Sequence, residues 1–294
     1  MQYDLASPIL AGLLVVLLAG IPAKAGSIFL TGHDPDFHAV SGNPTGAQHI
    51  IQDAVSYIMD PSFNPFVAAG NKNILFVECD TCSVPAGHLD GKLGMNASAS
   101  GFPTGTTFET HGDADGLVTE LAKLGTKYSA IVIGSDFGGM LTEAELADLN
   151  ADSVGILNFL NNGGGLFAMA ETTPAESGLA TGPYFGFLPF IVATSPVGEF
   201  EAGNTLTALG TSIGLTNSDI NGNFSHNVFT STGGLGIVDT DPANEILSLA
   251  ARGEVTPAGI VPEPSSLTMV AISLAAAAFA GFRHHRRTKS ADKS

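Results

Sequence analysis

The chain has 294 residues, 44% of them hydrophobic, with 36 glycines and no tryptophan, which excludes a coiled coil and a disordered chain and leaves room for a sizeable core. Its formal net charge is −17, and between residues 26 and 262 only five basic residues face 25 acidic ones. A surface of that sign repels phosphate backbones, so nucleic acid is excluded as a partner.

Residues 1–25 read as a secretory leader. Ile9–Gly20 is apolar, and Ala23-Lys24-Ala25 is a small-x-small cleavage site before Gly26, although Met1–Asp4 carries no basic residue. An extracytoplasmic domain is expected over 26–252. It opens with a strand at Ser27–Gly32 and a loop holding His33, Asp34, Pro35, Asp36 and His38. Apolar residues at 47, 50, 51, 54, 55 and 58 predict a helix that stops at Asp60-Pro61. Strands follow at Asn73–Cys79 and, more weakly, Thr106–Thr110; then a helix at Asp115–Leu124 and a strand at Tyr128–Gly134. Thr142 and Glu145 form a capping box for a helix reaching about Asn161, and Leu166–Ala170 is the next strand. Short strands are expected at Phe187–Val192, Val228–Thr230, Leu235–Val238 and Glu245–Ala250, as a small β-rich extension. Strands alternating with helices predict an α/β fold, a mostly parallel sheet with helices on both faces.

The C-terminus reads as an address. Residues 253–265 are expected as a linker carrying Pro262-Glu263-Pro264. An apolar segment, 266–282, is just long enough as a helix for a thin hydrocarbon core, and 283–294 is a basic tail with Arg283, Arg286 and Arg287. In that order these elements resemble the PEP-CTERM sorting tail of Gram-negative bacteria. The resemblance implies an exosortase that cuts near the motif, an inner-membrane anchor with the body outside the cytoplasm, processing toward the outer envelope, and a setting of exopolysaccharide and biofilm. The stretch Ala130–Asp136, a helix, and then Phe159–Ala168 also resembles the class I glutamine amidotransferase-like, flavodoxin-like fold. Where that family carries its nucleophilic Cys, this chain has Ala168-Met169-Ala170-Glu171, so the resemblance carries no amidotransferase chemistry.

His33, Asp34, Asp36 and His38 sit where open α/β sheets place ligands. They read either as turn-forming side chains or as ligands for a divalent metal, joined by His111 and Asp113 if the two loops meet. Ser225-His226-Asn227 reads as a loop hydrogen-bonder. Asp136–Gly139 lacks the lysine of a phosphate loop. Cys79 and Cys82 fit a local disulfide, free thiols or a redox pair. The expected function is a non-enzymatic binding domain for exopolysaccharide or other envelope components. The alternative is a metal-assisted extracellular hydrolase using the His33–His38 loop.

Overall fold

The computed structural model describes residues 26–79, 81–83, 89–113, 116–170, 180, 182–197, 202–222 and 225–262, all within the unit Lys24–Pro262. The leader, Glu263 and Pro264 of the sorting motif, the 266–282 segment and Arg283, Arg286 and Arg287 lie outside the described residues. Among the described residues no helix is long and apolar enough to cross a membrane.

One eleven-stranded sheet organises the chain. Its parallel half runs β3 (Thr107–His111), β2 (Asn73–Val77), β4 (Ala130–Ile133), β5 (Gly165–Met169), β1 (Gly26–Thr31). The residues alternate as the pleat requires. Ile28, Leu30, Leu75, Val77, Ile131 and Ile133 point to one face, and Phe29, Ile74, Phe76, Ala130 and Val132 to the other. Helix α2 (Pro44–Ile58) and the shorter α1 (Pro35–His38), α3 (Pro65–Ala68) and α4 (Gly91–Ser98) belong to the chain between β1 and β3. Residues of α2 and α4 fill the Phe29 face, while α5 (Leu117–Leu121), α6 (Glu143–Ala151) and α7 (Ser153–Asn161) fill the Ile28 face. The expected mixed α/β architecture, largely parallel at its centre and covered on both faces, is what the chain adopts.

Several details differ. Helix Thr142–Asn161 is two helices, because Asp152 leaves helical ψ at 18°. The strand expected at Phe187–Val192 lies later, as β6 (Val192–Pro196): Pro189 has no N–H for a ladder, and the chain turns there instead. The C-terminal strands are no small annex. β6, β7 (Thr205–Leu206), β8 (Asn227–Thr232), β9 (Gly236–Thr240), β10 (Ile246–Thr256) and β11 (Gly259–Pro262) continue the same sheet antiparallel from β1, with α8 (Ala208–Ile213) between β7 and β8. Residues 253–262, expected as linker, end β10 and form β11, pairing Gly253 with Pro262. The order β3-β2-β4-β5-β1 also differs from the 2-1-3-4-5 of flavodoxin-like sheets, because β1 sits between β5 and β10.

Candidate functional site

Two chain segments that are far apart in sequence meet beyond the end of β1. His33 bridges Ser225 in antiparallel fashion, and the N–H groups of His226 and Asn227 both donate to Gly32 O, at 2.9 and 3.2 Å. Only glycine fits at 32, since a Cβ there would collide with the carbonyl of Asn227. Asn227 Nδ2 also donates to Ala170 O, tying this corner to the end of β5.

Asp34 occupies the N-cap position of α1, with Pro35 at N1, so Asp34 and His38 lie one helical turn apart. Asp34 Oδ1 is 3.3 Å from His38 Nε2 and 3.6 Å from His226 Nε2, and the three ligand atoms all lie within 4.8 Å of one another. Asp34 and His38 are buried; His226 keeps 15% of its side chain exposed. Burial lowers the pKa of His38, and burial with His38 and His33 nearby brings that of His226 down to about 4, so both imidazoles are neutral near pH 7.

The tautomer of His38 follows from its partner. Its Nδ1 lies 3.1 Å from Ser41 O, which can only accept, so Nδ1 carries the proton and Nε2 presents a lone pair. That lone pair faces a carboxylate oxygen, an arrangement that a cation between them resolves. A tetrahedral ion with bonds of about 2.1 Å separates its ligand atoms by about 3.4 Å, close to the 3.3 and 3.6 Å from Asp34 Oδ1 to the two histidines. An N–H donated to a backbone carbonyl is also the usual orienting contact of a ligating histidine. The donor set fits a divalent transition metal better than calcium or magnesium, which favour oxygen.

Not every expected residue joins this cluster. His33 Nε2 lies 2.8 Å from Asp239 Oδ2, both side chains fully buried, and its Nδ1 has no hydrogen-bond partner among the described residues. Asp36 is a clamp on the loop after β4. It accepts from Ser135 N–H at 2.8 Å, from Ser135 Oγ at 3.0 Å and from Phe37 N–H. Burial raises its pKa against the pull of those bonds. The loop at 111–113 does not meet the loop at 33–38. β3 lies four strands from β1, roughly 19 Å across the sheet. There the Asp113 N–H donates to Glu145 Oε1, and His111 lies 3.5 Å from Glu109. Glu109, His111 and Glu120 are close enough to hold an ion, but the Lys127 ammonium already sits 2.6 Å from Glu109 and 3.1 Å from Glu120.

Sequence alone singles out neither His226 as a neighbour of Asp34 and His38 nor Asp239 as the partner of His33. The only trace was a histidine directly before a β-prone run. Of the three readings of the C-x-x-C pair, the structure takes the first: Cys79 and Cys82 are joined, with Cα atoms 5.5 Å apart.

Fold and site together define an α/β protein with a two-histidine, one-carboxylate cluster at the C-terminal edge of its parallel strands. No protein-family model matches the chain, and neither does any curated protein or solved structure.

Proposed function

We propose that this chain is an exported cell-envelope protein, sorted by its PEP-CTERM-like tail, whose body binds one divalent transition metal through Asp34, His38 and His226. The observation that carries the metal reading is the lone pair of His38 Nε2, fixed by the Ser41 carbonyl and facing Asp34 at 3.3 Å. Bound there, such an ion would supply Lewis-acid chemistry for hydrolysis of an extracellular carbohydrate or peptide. Three protein ligands leave a position for water or substrate, and the partly exposed His226 marks the side from which it would enter.

A second reading has its own support. The near-complete burial of Asp34 and His38 suits an ion that holds the corner together in a non-enzymatic binding domain for exopolysaccharide or another envelope component. The amidotransferase-like likeness remains a proposal for the parallel half and adds no activity. Export and anchoring rest on the order of leader, Pro262-Glu263-Pro264, apolar segment and basic cluster, with exosortase as the implied partner.

Metal analysis of the full chain, purified in detergent without chelators, tests the site. One equivalent of zinc, manganese, iron or cobalt is expected, lost in Asp34→Asn and His226→Ala and retained in Glu109→Gln. Wild-type protein that neither carries nor takes up any of these ions overturns the reading. Catalytic and structural ions then separate on whether added substrate analogues perturb a cobalt-substituted spectrum. For the tail, the chain is expected in the membrane fraction and a variant lacking 263–294 outside it; equal partition of the two would refute anchoring.

A further inference from the structure

Strands β7 and β9 form a short antiparallel ribbon. Its register, Thr205 with Thr240 and Leu206 with Asp239, brings Asn204 opposite Asp241 one step further on. The hydrogen bonds keep that phase. Thr207 N–H donates to Val238 O, so 207 with 238 and 205 with 240 are the hydrogen-bonded pairs. Leu206 and Asn204 turn their N–H groups outward instead, to the Oδ1 atoms of Asn217 and Asn221. Asn204 and Asp241 are therefore a non-hydrogen-bonded pair, the kind whose side chains stand closest, with Cα atoms about 4.5 Å apart. A Cβ on Gly203 would collide with the Pro242 ring, so the two segments still touch beyond the last ladder pair.

Both residues are 2% exposed, and each brings an acceptor to this pair. Asp241 Oδ1 takes the N–H groups of Ala243 and Glu245, at 2.8 and 2.7 Å, which leaves Oδ2. Asn204 Nδ2 donates to Ile220 O at 2.8 Å, which leaves Oδ1. Neither of these two oxygens has a hydrogen-bond partner among the described residues. Turning the Asn204 amide over is no remedy, because Oδ1 would then face the Ile220 carbonyl, which also only accepts. Asp239, two residues back and so on the same side of β9, likewise leaves Oδ1 without a partner while its Oδ2 binds His33.

We propose that Asn204 Oδ1 and Asp241 Oδ2 bind a calcium ion, with the Asp239 carboxylate on the same side of the strand adding to its field. Two buried acceptors side by side call for something positive between them. Water could donate to both, but it would leave the Asp241 charge buried without a counter-charge, which is costly. The offered atoms are all oxygens, of a carboxylate and an amide, and these suit a hard cation. Magnesium demands a near-ideal octahedron and keeps its water, whereas calcium accepts irregular sets. So few protein ligands imply a Kd of about 10⁻⁴–10⁻³ M, the range of extracellular calcium modules. The ion ties the segment carrying β7 and α8 to the β9–β10 turn. The cluster at Asp34 contains imidazole and selects a softer metal, so this inference is independent of it.

The test is thermal melting of the full chain in detergent, stripped with a chelator that is then dialysed away, followed by circular dichroism. Potassium chloride at about 0.15 M screens diffuse ion binding to the acidic surface. Calcium chloride at about 10 mM is expected to raise the melting temperature by a few degrees, and magnesium chloride by less. Asp241→Asn, of the same size and still able to accept at Oδ1, should lose the calcium shift. Glu254→Gln, which removes an exposed acid elsewhere, and Asp34→Asn should keep it. A wild type that does not respond overturns the proposal, as does an equal shift with magnesium, a shift that survives Asp241→Asn, or one that vanishes in Asp34→Asn. If Asp241→Asn does not fold, Asn204→Ala is read in the same way. Equilibrium dialysis of the wild type against radioactive calcium decides without any variant: less than one ion bound per chain near about 10 mM sinks the idea.

Discussion

Glu78 shows how one buried residue sets a pH response. It directly follows β2, fully buried, and Oε1 accepts the Lys92 N–H at 3.1 Å. Burial, with the Asp90 carboxyl beside it and Asp36 adding to the effect, pushes its pKa up to about 10, so it is protonated at neutral pH. Because the folded value is raised, its contribution to stability is full below about pH 4.5 and drains away as pH climbs toward 10, at up to about 1.4 kcal/mol per pH unit. Glu78→Gln should therefore melt near wild type at pH 4.5 and above it at pH 9, measured by calorimetry; parallel curves at both pH values would count against a neutral Glu78. Residue-scale chemistry was only partly legible in the sequence. Asp34 and His38 announce themselves by being four apart around a proline. His226 does not, because its nearness to Asp34 comes from strands paired across 192 residues, which no local pattern records.

Among the elements, α1 and α4 matter most to the site. Gly94 of α4 lies directly against the backbone of Asp36 in α1, where a Cβ would overlap the Asp36 carbonyl. Gly94→Ala should push α1 off α4, moving Asp34 and His38 relative to His226, and weaken metal affinity about 10-fold or more, as outer contacts of metal sites do. Isothermal titration would show it, and unchanged affinity would mean that α4 does not position the site. Helix α6 gives a more ordinary forecast. Thr142 and Glu145 satisfy each other's backbone groups, so Thr142→Ala should cost about 1 kcal/mol in chemical denaturation. The elements read correctly from sequence, β1, β2, β4, β5 and α2, have strong apolar periodicity. Those missed, among them α1, α3, α4 and α8, are short, four to eight residues, and hold through distant contacts such as Met95 in the α2-side core.

At the scale of the whole molecule the proposed metal ligands, Asp34, His38 and His226, join two halves of one sheet. Asp34 and His38 follow the parallel strand β1; His226 precedes the antiparallel strand β8. An ion that binds the folded state alone stabilises it by mass action, by about 2.7 kcal/mol at 100 times its Kd. Added zinc should therefore raise the melting temperature of the wild type and leave His226→Ala unmoved; equal shifts in both would place the ion elsewhere. The His33–Asp239 pair links the same halves without a metal. The sequence placed both histidine-bearing loops at the C-terminal edge of the sheet but could not say which strands are neighbours. Strand order, settled by long-range pairing, is what separates 111–113 from 33–38.

β1 lies between β5 and β10, and its first residue, Gly26, faces Gly253. The earliest of the described strands to leave a ribosome or a translocation channel must wait for almost the last of them before its open side is closed. Long sequence separation of this kind slows folding. It also leaves a strand that is buried along its whole length in the folded chain unpaired for as long as the chain is incomplete, inviting capture by a holding chaperone or aggregation. A fragment ending at 245 should be recovered as aggregate. The body matures as one indivisible unit, finished only when the segment next to the tail has emerged.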